Sequence, residues 1–175
     1  MYHPNKKQIS VWELVGPEAH ARWGDSAIML MNPLLCISLQ QIRNRHGRLR
    51  LNSTKLGFTQ RGFRTDKHWK LNKDLEGAKA ELDRLQRFAK SRSAHLRGDA
   101  QDFDPLDSTV EAVYDDIRNN PDLYPFIHFV ETGVSWGHID VRNQPDITFW
   151  DKNTGEVEIV KQKPIEWGLI VPGFK

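Results

Sequence analysis

FIHFVETGVSWGHIDVR, residues 126–142, decides the fold class. Two runs rich in β-branched and aromatic residues, FIHFVE and WGHIDVR, flank the glycine-bearing TGVS. That pattern predicts two antiparallel strands joined by a turn. A second hairpin follows: ITFWD (147–151), the turn KNTG, then EVEIVKQ (156–162). Upstream, AQDFD (100–104) reads as a short strand and RLRLNS (48–53) alternates as strands do. KLGFTQRGFR (55–64) is expected to be another extended stretch with a glycine-marked bend.

The helices lie outside these strands. Asn32-Pro33 opens one, Leu34, Leu35, Ile37, Leu39 and Ile42 give it an apolar face, and His46-Gly47 ends it. NKDLEGAKAELDRLQRFAK (72–90) carries Leu75, Ala78, Leu82, Leu85 and Phe88 at helical spacing. DSTVEAVYDDIRNN (107–120) predicts a helix capped by Asp107 or Ser108. Residues 1–30 read as irregular or weakly helical. Helices and strands mix without βαβ alternation. The expected class is therefore α+β, a small, largely antiparallel sheet with flanking helices, in a single domain spanning 1–175.

Composition narrows the function. With 38% hydrophobic and 27% charged residues the chain is ordinary for a globular protein. A net charge of +2 is too weak to argue for nucleic acid and suits an anionic polymer equally well. The basic clusters RNRHGRLR (43–50) and KSRSAHLR (90–97) have no interleaved aromatics, so no nucleic-acid partner is expected. The one cysteine, Cys36 in LLCIS, excludes a disulfide framework and a cysteine-rich zinc site, and reads as a buried small hydrophobe. No apolar run is long enough for a membrane span. MYHPNKKQIS has no apolar h-region, so synthesis in the cytoplasm without a signal peptide is expected. The apolar tail PIEWGLIVPGFK (164–175) is expected to pack or to dock a partner.

The chemistry gathers around SAHLRGDAQDFD (93–104). A zinc site needs three or four nitrogen, sulfur or carboxylate donors, and a catalytic one keeps a position open for water. Here the donors must be His, Asp or Glu. His95 and Asp102 flank a turn at Gly98, and His138 in a later strand is the best third donor. On spacing alone the preferred reading is structural, with His95 capping a loop and His138 a hydrogen-bonded sheet histidine.

Ser93, His95, Gly98, Ala100 and Asp102 match a Ser-x-His-x-x-Gly-x-Ala-x-Asp signature, GHIDVR matches a later His-x-Asp, and Gly62-Phe63-Arg64 matches an earlier glycine-aromatic-arginine motif. In this order, over roughly residues 30–150, the chain resembles the D-alanyl-D-alanine metallopeptidase family of bacterial carboxypeptidases, dipeptidases and phage endolysins. The resemblance implies a hedgehog-like fold and a Zn²⁺ ion held by His95, Asp102 and His138. It implies Arg64 as the residue facing the developing oxyanion, and Ser93 as a substrate hydrogen-bond donor or a shaper of the loop. The implied reaction is hydrolysis, by metal-activated water, of a D-Ala-containing or L-Ala-D-Glu bond in the peptidoglycan stem peptide. A phage or prophage lysin acting at the cell wall, free or as a virion component with a tail partner, fits that reading. The alternative is a non-catalytic virion structural or adaptor protein that keeps the fold.

The family commonly places a general base three residues before the last histidine, where this chain has Ser135. Glu131 is the expected replacement. A hairpin around TGVS sets it opposite Trp136, on the His138 face and one rung from it. Asp140 shares that face, as base or as a group orienting a ligand. His128 is expected on the other face.

Overall fold

Ser10 and Glu13 start the first helix. The Ser10 hydroxyl accepts from the Glu13 N–H at 3.4 Å, and the Glu13 carboxylate accepts from the Ser10 N–H at 2.9 Å. This capping box, rather than apolar periodicity, makes α1 (Val11–Trp23) a helix in a region expected to be at most weakly helical. α1 is broken at Gly16, whose φ of 78° is left-handed, and Pro17 begins its second run. The structure is a computed structural model that describes residues 8–52, 57, 61–65 and 70–164.

α2 (Pro33–His46) follows a 3-10 segment. The Asn32 side chain accepts from the Leu34 N–H at 2.9 Å and Pro33 occupies the first helical position. Leu35, Leu39 and Ile42 are fully buried, each contributing about 1.5–3 kcal/mol of burial. α4 (Val110–Asn119) is capped one or two residues later than expected, by Thr109, which accepts from the Ala112 N–H at 3.1 Å. Asp107 is taken by Arg48, whose backbone N–H donates to it at 2.8 Å and whose guanidinium grips it as well. α4 buries Val113, Tyr114 and Ile117.

α3 (Gly77–Lys90) is the correction among the helices. Ala80 is its buried residue, while Leu82 and Leu85 are exposed and Ala78 faces solvent. The leucine stripe does not face the core. Arg87 donates to the Lys70 carbonyl at 2.7 Å and fixes the helix by another face.

Among the described residues six strands form one mixed sheet: β1 (Leu49–Arg50), β2 (Ala100–Pro105), β3 (Phe129–Thr132), β4 (Gly137–Asp140), β5 (Ile147–Asp151) and β6 (Val157–Val160), in the order β1-β2-β4-β3-β5-β6. Four of the five ladders are antiparallel; β3 and β5 run parallel, because the chain leaves β4 and passes to the far side of β3. With four helices among the described residues, the class is α+β with a largely antiparallel sheet.

β1 keeps only two residues of RLRLNS. The described part of the second extended stretch, Arg61–Phe63, is a bend. Residues 53–56, 58–60 and the tail from 165 lie outside the described residues, and with them the expectation that the tail packs or docks. Cys36 is partly buried against the core, and burial pushes its thiol up to about 11. The arginines of RNRHGRLR are paired: Arg43 with Glu13, Arg45 with Asp116, Arg48 with Asp107 and Arg50 with Asp104. No helix among the described residues is long and apolar enough to cross a membrane.

Candidate metal centre

His95 sits in a 3-10 turn, Ala94–Arg97, that Gly98 closes at a left-handed φ of 70°. A Cβ on Gly98 would lie 2.0 Å from the Leu30 carbonyl oxygen, so only glycine fits. Asn32, the cap of α2, anchors the turn: its N–H donates to the Gly98 carbonyl and its amide to Asp99, both at 3.0 Å. Asp102 and His138 are cross-strand partners on β2 and β4. One rung away, Gly137 faces Phe103, whose ring would be 2.4 Å from any Cβ there. Glycine lets that ring lie across β4 on the face opposite His138.

The bend at 61–64 stitches two of these groups together. The Asp102 N–H donates to the Arg61 carbonyl at 2.9 Å, and the Arg64 N–H to the His95 carbonyl at 3.2 Å. His95 Nδ1 lies 2.9 Å from the Gly62 carbonyl oxygen. A carbonyl can only accept, so Nδ1 carries the proton and Nε2 is left as the donor atom facing Asp102.

One donor atom from each of His95, Asp102 and His138 falls within 4.8 Å of the other two. His95 Nε2 is 3.5 Å and His138 Nδ1 2.6 Å from Asp102 Oδ1. Ligand bonds of about 2.0–2.2 Å in a tetrahedron put neighbouring donors about 3.3 Å apart. The His95 spacing already fits. The His138 spacing is that of a direct hydrogen bond and must open by about 0.7 Å around a cation. Protonation favours a ligand set. Burial holds the His95 imidazole below its ordinary pKa, in the neutral form that ligates. Burial raises the Asp102 carboxyl, but the hydrogen bond from His138 outweighs it and holds the group well below the usual carboxylate range. The residues present can hold a metal ion.

The three line a cavity of about 370 Å³ together with Arg64, Ser93 and Glu131. The Arg64 guanidinium donates to Asp102 Oδ2 at 3.0 Å, which orients that carboxylate. The Ser93 hydroxyl makes no hydrogen bond among the described residues, although its N–H donates to Ser91 at 3.2 Å. β3 and β4 pair Phe129 with Asp140 and Val130 with Ile139. One rung on, Glu131 stands opposite His138, not opposite Trp136. The expected face holds, with the register moved by two residues.

Asp140 is fully buried and gripped by Arg142, whose Nε lies 2.8 and 2.9 Å from its two oxygens. Its carboxylate makes no hydrogen bond to His95 or His138 among the described residues. The orienting groups are the Gly62 carbonyl for His95 and Arg64 for Asp102. His128 is not among the residues that line the cavity.

Sequence reasoning missed Tyr114. Its hydroxyl donates to the Glu131 carbonyl at 2.9 Å and accepts from the His138 N–H at 2.7 Å. It replaces a strand-to-strand hydrogen bond between the two residues. The apolar stripe of α4 marks Tyr114 as inward-facing, but no local signal shows that its oxygen reaches the sheet. The aromatic wall of Phe129 and Trp150, stacked with centroids 6.4 Å apart, was also unforeseen as a cavity wall. Comparison of the chain with protein-family models, curated proteins and solved structures returns no match.

Proposed function

We infer that this protein is a zinc peptidase that hydrolyses a peptide bond in the peptidoglycan stem, of the D-alanyl-D-alanine metallopeptidase type, with the hedgehog-like fold that goes with it. The convergence of His95, Asp102 and His138 in one cavity with Glu131 and Arg64 carries this reading. Two imidazoles and one carboxylate are a donor set for a catalytic zinc that keeps a coordination position for water. When bound, zinc supplies Lewis acidity at the scissile carbonyl and acidifies water.

The chain's residues do the rest. Glu131 takes the proton of the attacking water on its carboxylate and passes it to the leaving amine. Lys152, with Nζ 3.4 Å from Glu131 Oε1, sets a positive charge beside that carboxylate. Arg64 holds Asp102 in place and sets a positive charge beside the carbonyl oxygen as it gains charge. Ser93 offers a hydroxyl to the peptide backbone. The stacked Phe129 and Trp150 give the substrate an apolar wall.

The test is a digest. Purified peptidoglycan incubated with the zinc-loaded protein should yield new stem-peptide fragments by mass spectrometry, and a chelator should stop the reaction. Intact stem peptides from several wall types, with zinc bound, contradict the reading. One observation favours the alternative of a non-catalytic virion component: each cavity carboxylate already has a cationic partner in the chain. A protein that takes up no zinc would fit that alternative.

A further inference from the structure

Among the described residues, three carboxylates and four cations line the cavity. Asp102 pairs with Arg64 at 3.0 Å, Glu131 with Lys152 at 3.4 Å, and Asp140 with Arg142 through a guanidinium fork. The fourth cation is Arg92. It is exposed, and among the described residues it has no hydrogen bond or ion pair. It stands beside Ser93 and three residues before His95, at the edge of the turn that carries the histidine.

The cavity therefore presents one uncompensated guanidinium. Its planar fork matches a carboxylate in two parallel hydrogen bonds. Among the described residues none of the protein's own cavity carboxylates meets it: each pairs with another cation. The complement must come from the ligand.

We propose that Arg92 is a specificity-determining residue that receives a free carboxylate of the substrate, selecting peptides with an unmodified carboxyl group close to the scissile bond over their amidated forms. The proposal rests on the peptidase reading for the identity of the substrate. Its chemistry is that of an acidic peptide end.

The probes are N-acetyl-D-alanyl-D-alanine and its C-terminal carboxamide, titrated by NMR into the full chain with no metal added. Binding is then read without turnover and without a metal competing for the carboxylate. The wild type should bind the acid about 10- to 100-fold more tightly than the amide. Arg92→Gln should remove that preference by weakening the acid alone, and Arg92→Lys should keep part of it. Equal binding of acid and amide by the wild type, no detectable binding of the acid, or an undiminished preference in Arg92→Gln overturns the proposal. A zinc-loaded digest of the same two peptides separates the two readings. Acid preference in binding with no cleavage of either peptide leaves Arg92 standing and removes the peptidase. Cleavage without acid preference does the reverse.

Discussion

His95 Nδ1 donates to the Gly62 carbonyl at 2.9 Å, so a residue in a bend fixes which nitrogen of the histidine faces Asp102. Gly62 has no room to be anything else. A Cβ there would lie 2.1 Å from the Leu14 carbonyl oxygen and 2.3 Å from the Gln101 side-chain oxygen.

Gly62→Ala should push the bend away from α1 and loosen the His95 ring. Loss of an orienting hydrogen bond typically weakens metal binding about 10- to 100-fold. Chelator competition on folded Gly62→Ala protein measures this. Unchanged zinc affinity would show that the Gly62 carbonyl does not orient the ligand.

Tyr114 ties the helix layer to the site. Tyr114→Phe leaves the Glu131 carbonyl and the His138 N–H without their shared partner. Leaving a buried polar group unpaired costs about 1–3 kcal/mol. Urea unfolding should show that loss, and peptidoglycan cleavage should fall with it. An unchanged midpoint would mean that the two strands close up and pair directly.

Glu131→Gln should keep zinc and lose rate by about a hundredfold or more, because the amide cannot take a proton. Parallel zinc analysis and single-turnover cleavage read both effects. Full activity in Glu131→Gln together with a dead Asp140→Asn that still binds zinc would transfer the base to Asp140.

The strands were legible in the sequence because FIHFVE, WGHIDVR and ITFWD are rich in β-branched and aromatic residues and turn residues bound them. The Glu131 register was not. The strands begin to part at the rung where the Tyr114 hydroxyl enters from α4, a tertiary contact that no local pattern encodes. α1 was obscured because Gly16-Pro17 interrupts its periodicity, while the Ser10-Glu13 box that starts it is short. In α3 the Leu82 and Leu85 stripe looked like a core face, but apolar spacing does not say which side the fold will cover. The donor residues of the site stood out by type. The Gly62 carbonyl did not, because every residue has one. Arg92 emerged only when the ion pairs of the cavity could be matched one by one.

Asp116 predicts the acid limit of stability. Arg45 holds it at 2.6 and 2.7 Å and His46 at 2.9 Å, with the Tyr124 hydroxyl as a further donor. Burial raises this carboxyl, but those bonds outweigh it and hold the group well below the usual range. A folded pKa below the unfolded value of about 3.9 gives stability that is present above that pH and lost as pH falls through the folded value. Asp116→Asn should cost about 1.5–3 kcal/mol at neutral pH. The gap from wild type should narrow between about pH 5 and pH 2. Urea midpoints at several pH values check the sign, and a gap that widens on acidification contradicts it.

The central claim is that His95, Asp102 and His138 together hold a zinc ion. Elemental analysis of protein purified without chelator, for the wild type and for His95→Ala and His138→Ala, tests it most directly. The wild type should carry about one zinc per chain and each variant much less, because two remaining protein ligands hold zinc poorly. Wild-type protein with no stoichiometric metal, or variants that keep as much zinc as the wild type, would contradict the account.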